Sequence, residues 1–296
     1  MDLLLSLLHD TSRSFALSIP AAPAPVDREM TVAYLLFRIA DTFEDATATA
    51  VEERIQGLEA FAHALDNPSC PKARAALREH EERLDEPNPA YRRLMRHCDE
   101  VLDGLMSLRP GAQVIVAGHS RRTAVGCIEW IRRTDDSGVL RLHSMKELRD
   151  YCYTVAGIPG EMLCELFLLE QPGLEHVAAQ MRARAVTFGE AMQLVNILKD
   201  CAMDAEEDRV FLPSSVSMTE ALALARADLA VAREYVELLR QPGVPSGVVA
   251  FHQITSDLAA AALDVTEAKG PGAKISRSGV ARILEHAGVS AAQVQA

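Results

Sequence analysis

Aromatic residues are scarce in this sequence, at 5% with a single tryptophan. Strict alternation of polar and apolar residues never persists for the length of a strand, and clusters of β-branched residues are few. No glycine-rich dinucleotide fingerprint is present either. These absences argue against a β-sheet protein and a Rossmann-type domain, and the dominance of alanine and leucine predicts an all-α fold.

Long hydrophobic runs, net positive charge and paired cysteines are also missing. No stretch reaches the length of a membrane span, and the apolar residues 3–8 lack a basic flank, so we expect neither a transmembrane segment nor a signal peptide. The formal net charge of −12 argues against nucleic-acid binding. The six cysteines form no CxxC pair and lack histidine partners at zinc spacing, which predicts free thiols in a reducing cytoplasm.

The chain has ample material for a helical core. Its 296 residues are 49% apolar, and proline and glycine interrupt the helical patterns at short intervals. The interruptions fall at residues 20–25, 67–71, 87–89, 110–111, 172–173, 213, 241–247 and 270–272. Without a fixed-period repeat or a low-complexity linker, the pattern predicts a single multi-helix domain over residues 1–296.

A first acidic cluster continues an apolar helix face. From Met30 to Phe37, apolar residues recur at i, i+3, i+4 and i+7, and the same step then reaches Asp41, Glu44 and Asp45. Carboxylates on a core-facing stripe are costly unless a cation lies against them. An ion pair with Arg38, three residues before Asp41, is an alternative that accounts for one acid but not for three.

A second acidic cluster lies about 150 residues further along. Asn196, Asp200 and Asp204 are four residues apart, and each step of four turns only about 40° around a helix, so they project from nearly one face. The preceding segment is apolar nearly all round, which predicts a central helix. Hard oxygen ligands at this spacing suit Mg²⁺. The alternative is a buried polar network with Lys199 and Arg209.

The two clusters together indicate a chemistry. If the two helix faces met, they would form an oxygen-lined metal cage at the mouth of an apolar cavity. Such a cage suits a diphosphate attached to an apolar chain, because Mg²⁺ shares its coordination sphere with substrate phosphates. Basic side chains would complete the site, and the candidates are Arg13, Arg38, Lys199 and Arg209.

Four segments form a set in chain order. They are residues 12–15 (Ser-Arg-Ser-Phe), 35–45 (Leu-Leu-Phe-Arg-Ile-Ala-Asp-Thr-Phe-Glu-Asp), 151–157 (Tyr-Cys-Tyr-Thr-Val-Ala-Gly) and 189–200 (Gly-Glu-Ala-Met-Gln-Leu-Val-Asn-Ile-Leu-Lys-Asp), the last followed by Asp204 and residues 209–213. Together they resemble the squalene/phytoene synthase family, the head-to-head prenyl-diphosphate condensing enzymes. The resemblance covers most of the chain and implies an isoprenoid-synthase-type helical bundle around a central cavity.

The resemblance also implies roles for individual residues. Two allylic prenyl diphosphates would bind in the cavity, and the implied Mg²⁺ ligands are Asp41, Asp45, Asn196, Asp200 and Asp204, to which the acidic stripe adds Glu44. The expected substrate-binding residues are Ser12, Arg13, Ser14, Phe15, Tyr34, Arg38, Gln193, Asn196, Lys199 and Arg209. The expected catalytic residues are Asp41, Asp45, Asp200, Asp204 and Tyr151.

Substrate and product are less sharply indicated. The first acidic motif and residues 273–284 resemble squalene synthases, which implies condensation of two farnesyl diphosphates through a cyclopropylcarbinyl diphosphate to squalene or a related C30 product. Thr154 departs from the tyrosine of eukaryotic squalene synthases, so the NADPH-dependent step is open. The alternatives are phytoene formation from two geranylgeranyl diphosphates and an inactive helical binding module. We expect a cytoplasmic protein with peripheral membrane contact for product release.

Overall fold

The computed structural model describes residues 2–135, 138–206 and 209–289, and its regular structure is helical. Across these ranges the one β feature is an isolated bridge between Arg141 and Val210. The all-α fold predicted from the sequence is confirmed. The helices are, in chain order, α1 (Leu3–Thr11), α2 (Phe15–Ser18), α3 (Val26–Asp45), α4 (Val51–Asp66), α5 (Pro71–Arg83), α6 (Pro89–Met95), α7 (Cys98–Met106), α8 (Pro110–Ile131), α9 (Met145–Cys152), α10 (Ile158–Glu170), α11 (Ala178–Glu206), α12 (Met218–Leu238), α13 (Ser246–Lys269) and α14 (Arg277–His286).

Local sequence sets many of the helix boundaries. Helices α5, α6 and α8 begin at Pro71, Pro89 and Pro110. Proline is favoured there because the first N–H groups of a helix have no intrahelical acceptor and its fixed φ suits the helix. Helix α13 ends before Gly270, whose φ of 87° lies in the left-handed region that glycine adopts readily. The predicted interruptions at these places are confirmed.

The chain divides into two compact units. The first contains the residues up to Arg13 together with Arg28–Leu140, and the second contains Ser14–Asp27 together with the chain from Arg141 onward. In the first unit α8 packs against α4 and α7, while α1 packs against α6 and α7. In the second unit α11 packs against α9, α10, α12 and α13, so it is central in that unit, as predicted. The single domain expected over residues 1–296 stays a prediction.

Helices α9 and α10 are joined by a π turn at Tyr153–Gly157, so one helical segment runs from Met145 to Glu170. Within the described part of the chain, it is long and apolar enough to cross a membrane, and 50% of its most apolar window is buried inside the protein. Such burial is typical of a core helix. The expectation that no stretch reaches the length of a span was therefore wrong for this segment.

Two glycines allow this segment to approach α11 closely. A Cβ atom on Gly189 would lie 2.0 Å from the carbonyl oxygen of Ala156, and one on Gly160 would lie 2.3 Å from the carbonyl oxygen of Ala185. Both distances are far inside van der Waals contact, and both partners are backbone atoms. The crossing of the two helices therefore requires glycine on each side.

His252 on α13 lies among aromatic rings in the core of the second unit and is 1% exposed. Its Nδ1 donates to the carbonyl oxygen of Val248 at 2.9 Å, whereas its Nε2 finds no hydrogen-bond partner among the described residues. Burial lowers the pKa of His252 from 6.5 to about 4, so the ring is neutral at pH 7. The surrounding rings, with centroids 4.7, 5.3, 5.3 and 4.8 Å away, are Phe167, Phe188, Tyr235 and Phe251.

We predict that His252 lowers the stability of the protein in mild acid. Its pKa is lower in the folded protein than in the unfolded chain, so between pH 6.5 and about 4 only the unfolded chain takes up the proton. Stability contributed by the neutral ring is therefore present above pH 6.5 and is lost as the pH falls through this window. The loss between pH 7 and pH 5 is about 2 kcal/mol, measurable by urea denaturation.

His252→Phe is the matched control, because a phenyl ring occupies similar space and cannot take up a proton. Other groups titrate in both proteins, so the informative quantity is the difference between their losses on going from pH 7 to pH 5. Wild type should lose about 2 kcal/mol more than the variant. Equal losses in the two proteins would contradict the prediction.

Candidate active site

The first acidic motif occupies the last turn of α3 in the first unit. In the predicted stripe Met30, Ala33 and Phe37 are buried and Tyr34 is partly exposed, and the acids that continue the stripe differ in exposure. Asp41 and Asp45 are partly exposed, whereas Glu44 is 7% exposed. The helix end therefore presents two carboxylates at the edge of the unit and directs the third into its interior.

Arg38 connects this motif to other parts of the first unit. Its Nη1 lies 3.5 Å from Oδ2 of Asp41, so the ion pair that the sequence left open is present. Its Nε donates to the hydroxyl of Tyr34 at 3.4 Å, and that hydroxyl donates to the carbonyl oxygen of Thr11 at 2.8 Å. Two predicted substrate-binding residues, Tyr34 and Arg38, thus form one hydrogen-bonded chain that begins at the C-terminal end of α1.

Glu44 lies against α8. The thiol of Cys127 donates to Oε2 of Glu44 at 3.1 Å. Burial, followed by the nearby charges of Asp45 and Asp41, raises the pKa of Glu44 to about 8. At neutral pH this carboxyl is therefore mostly protonated, and its predicted role as a metal ligand stays a prediction.

The donor set of the two motifs fits Mg²⁺. The described residues bring no group of three His, Cys, Asp or Glu side chains together as a ready metal centre. Mg²⁺ does not require one, because it keeps several waters and binds through one or two carboxylates plus substrate phosphates. Burial raises the pKa of Asp41 to about 6, with Arg38 opposing the shift and Asp45 adding to it, so a further cation here would stabilise the charged carboxylate.

The second acidic motif lies in the last three turns of α11 in the second unit. The ammonium of Lys199 is 3.2 Å from Oδ1 of Asn196 and 3.2 Å from Oδ2 of Asp200. The guanidinium of Arg209 is 3.1 Å from Oδ1 of Asp204. The polar network that the sequence analysis kept as an alternative is therefore present, and each acid of the motif contacts a base.

Burial of this network differs from the expectation. The side chains of Lys199 and Asp200 are 32% and 36% exposed, and Asn196 is exposed. Only Asp204, with a side-chain exposure of 14%, is largely covered. The network is therefore not the buried one that the alternative supposed, because Asn196 lies on an open face of α11 whose neighbours Val195, Ile197 and Leu198 are buried. The exposure leaves Asn196 and Asp200 accessible from solvent.

Tyr151 precedes the π turn in the second unit. It is 4% exposed, and its ring stacks on Phe211 with centroids 4.9 Å apart. Phe211 belongs to residues 209–213, the segment that follows the second acidic motif. The π turn itself contains Thr154, whose hydroxyl donates to the carbonyl oxygen of Asp150 at 3.1 Å. The structure thus brings together the third and fourth motifs of the sequence set, and π turns are frequent at functional sites.

The remaining predicted residues are placed individually. Ser12 is the C-terminal cap of α1, and its N–H donates to the carbonyl oxygen of Leu8 at 2.9 Å. Arg13 and Ser14 are exposed, and the boundary between the two units falls between them. Phe15, which begins α2, and Gln193 on α11 are partly exposed. Their roles toward a substrate stay predictions.

Several charged or polar contacts near these motifs were missed by sequence reasoning. In the first unit, Arg54 donates to the carbonyl oxygens of Phe43 and Glu44 at the end of α3. The ring of Tyr91 lies over Arg38. Neither residue stands at helical spacing from its partner, so no periodic signal marks them.

An ion-pair group in the second unit was also missed. Arg149 on α9 contacts Glu190 on α11, at 3.2 Å, and Asp228 on α12. Both carboxylates are buried, and burial raises their pKa values while the arginine opposes the shift. The contact links three helices of that unit, and its members are far apart in the sequence.

Fold and motifs define a class: an all-α protein with two acidic helix ends, each contacted by basic side chains. A sequence model of the squalene/phytoene synthase family matches residues 8–217. The chain therefore belongs to the squalene/phytoene synthase family, as its motifs predicted. Enzymes of the squalene synthase type are prenyltransferases.

Curated relatives include squalene synthases. The chain is 29% identical over 206 residues to that of Mycosarcoma maydis, covering 69% of this chain and 33% of the relative. It is 27% identical over 212 residues to squalene synthase of Homo sapiens, covering 71% and 45% respectively. The chain thus spans less than half the length of these relatives.

Solved structures resemble the fold. A complex of TcSQS with a ligand has a TM-score of 0.79 at 22% identity, covering 99% of this chain and 87% of that one. A dehydrosqualene synthase in complex with a ligand has a TM-score of 0.55 at 18% identity, covering 96% and 94%. At such identities the likeness establishes the all-α fold of this family.

Proposed function

We propose that the protein condenses two farnesyl diphosphates head to head, through a cyclopropylcarbinyl diphosphate of the presqualene type, to squalene or a related C30 isoprenoid. The observation that carries the proposal is that each acidic motif, in a chain of this family, contacts a base. Arg38 contacts Asp41, and Lys199 contacts Asp200. If a metal ion bound the carboxylates, these bases would be released to bind phosphate oxygens.

The proposal gives the metal ion and the basic residues separate roles toward the diphosphate. Mg²⁺, when bound, neutralises the diphosphate and makes it a leaving group. Arg38 and Arg209 would donate two N–H groups each to phosphate oxygens, and Lys199 would act as a point charge. The residues that would hold metal are Asp41 and Asp45 in the first motif and Asn196, Asp200 and Asp204 in the second. Glu44 would join them only after losing its proton, because burial raises its pKa to about 8.

The reaction needs no side-chain nucleophile. Departure of one diphosphate leaves an allylic cation, and the double bond of the second prenyl chain attacks it. The resulting cation loses a proton from C1 of the second chain as the cyclopropane ring closes, and the released diphosphate would accept that proton. Correct placement of the two chains and exclusion of water are what the protein contributes. The stack of buried Tyr151 on the partly exposed Phe211 supports an aromatic wall near the second motif.

The test is incubation of the purified protein with farnesyl diphosphate and Mg²⁺, with and without NADPH, followed by mass spectrometry of the products. We expect release of diphosphate and a C30 product that requires Mg²⁺ and is abolished by EDTA. A saturated central bond formed only with NADPH would identify the reductive step, for which NADPH would be the cofactor.

A competition assay separates the substrate classes. Equimolar farnesyl and geranylgeranyl diphosphates should yield mainly C30 product, whereas mainly C40 product would replace the proposal with phytoene-type condensation. If neither substrate is consumed by folded protein in the presence of Mg²⁺, the proposal fails in favour of a non-catalytic helical binding module. We also propose a cytoplasmic location with peripheral membrane contact, because a C30 hydrocarbon carries no charge and partitions into lipid.

A further inference from the structure

Tyr91, on the short helix α6 of the first unit, covers the guanidinium of Arg38. The Cζ atom of Arg38 lies 5.3 Å from the centroid of the Tyr91 ring. The same Cζ lies 5.7 Å from the ring centroid of Tyr34, one turn earlier on α3. Cations within about 6 Å of an aromatic centroid are attracted to the ring face. Two phenol rings on different helices therefore hold one arginine side chain.

The remaining contacts of Arg38 are directional. Its Nε donates to the Tyr34 hydroxyl, and its Nη1 approaches Asp41 at 3.5 Å. A guanidinium carries five N–H donors, so these contacts do not exhaust its capacity. The side chain is 25% exposed. Arg38 is thus fixed in orientation while part of it remains accessible from outside.

We infer that Tyr91 is a positioning residue for diphosphate binding: its ring holds Arg38 in the orientation that grips phosphate oxygens. The inference rests on the proposed function. An arginine loses considerable rotamer freedom when it is fixed. Because the Tyr91 face and the Tyr34 hydroxyl already fix it, little of that freedom remains to be lost when the substrate binds.

The ring also limits the competition from Asp41. The Arg38–Asp41 distance of 3.5 Å is longer than a good charge-assisted hydrogen bond. If the ring of Tyr91 were removed, the guanidinium could close on the carboxylate and would have to be withdrawn before binding phosphate. Tyr91 therefore acts through Arg38 and needs no contact with the substrate.

The first experiment compares wild type, Tyr91→Leu and Tyr91→Phe. Mg²⁺ with inorganic pyrophosphate is the probe, with Ki measured against farnesyl diphosphate and Kd by calorimetry. We expect Tyr91→Leu to raise Ki, Kd and KM by roughly 3- to 30-fold, with kcat within about twofold of wild type. Tyr91→Phe keeps the ring face, so its Ki, Kd, KM and kcat should stay within about twofold of the wild-type values. If Tyr91→Leu does not fold, Tyr91→Met takes its place with the same expected shifts.

A double-mutant cycle with Arg38→Met separates positioning from simple packing. If Tyr91 acts through Arg38, Tyr91→Leu should have no further effect on Kd in the Arg38→Met background. A Tyr91→Leu variant that loses thermal stability but keeps the wild-type Kd would overturn the inference. So would a Tyr91→Phe variant as impaired as Tyr91→Leu. Wild type that binds no pyrophosphate with Mg²⁺ would instead overturn the proposed function.

Discussion

We expect the replacement of Asp200 with asparagine to lower kcat/KM for the proposed substrate, farnesyl diphosphate, by about 100- to 1000-fold, the magnitude typical of losing one electrostatic stabiliser of a leaving group. Asparagine keeps the shape of the side chain and removes the negative charge that a divalent cation needs. Steady-state kinetics with Mg²⁺ held at saturation would measure the effect. At Mg²⁺ concentrations below saturation the loss should be larger, because the affinity for the metal is also reduced.

Folding should hardly change in this variant. The Asp200 side chain is 36% exposed, and its pairing with Lys199 is of the kind that contributes about 0–1 kcal/mol. Lys199 also keeps its contact with Asn196 at 3.2 Å. Circular dichroism and the urea midpoint should therefore match wild type within error.

Asp264→Asn is the matched control in the same unit. Asp264 lies on α13, is 62% exposed and pairs with Arg226 at 2.6 Å, so it is also a surface acid in an ion pair. This substitution should leave kcat/KM within about twofold of wild type, since exposed pairs contribute little. Equal activity of the Asp200 and Asp264 variants would remove Asp200 from the site.

Replacing Gly189 with alanine destabilises the protein by about 3 kcal/mol or more. Intrinsic helix propensity points the other way, since alanine in a helix interior is favoured over glycine by about 1 kcal/mol. The clash prevails because the new Cβ would lie 2.0 Å from the Ala156 carbonyl oxygen and 2.7 Å from the carbonyl carbon. Both are backbone atoms of the π turn and cannot rotate away. Urea denaturation at pH 7 would measure the loss.

Gly118→Ala is the control for which we expect a gain in the free energy of unfolding. Gly118 is an exposed glycine within α8, and nothing lies within 4 Å of a Cβ built there. This variant should gain up to about 1 kcal/mol from helix propensity. If both substitutions stabilise the protein, the close approach of α11 to the π turn is not rigid in solution.

The helices themselves and the two acidic motifs were predictable from local patterns. The stripe from Met30 to Phe37 lies on one face of a helix, and residues three and four apart are neighbours on any helix surface. The contacts of Arg38 with Asp41 and of Lys199 with Asn196 are of this short-range kind. Their presence followed from spacing alone.

Contacts between helices were not predictable in the same way. Glu44 and Asp41 look equivalent in the sequence, yet Glu44 meets the thiol of Cys127 on α8 and Asp41 remains partly exposed. Successive side chains on an α-helix point in directions about 100° apart. Which of those directions is buried depends on the helix that packs there.

Family membership and the all-α class could be predicted from the order of the motifs, because both helix formation and the spacing of ligand residues depend on residues only a few positions apart. Tertiary packing alone placed Tyr91 over Arg38, Glu44 in the interior and Gly189 against the π turn. These partners are distant along the chain, and their meeting depends on how whole helix surfaces fit together. Local periodicity specifies the face of each helix, and only the packed structure specifies what that face meets.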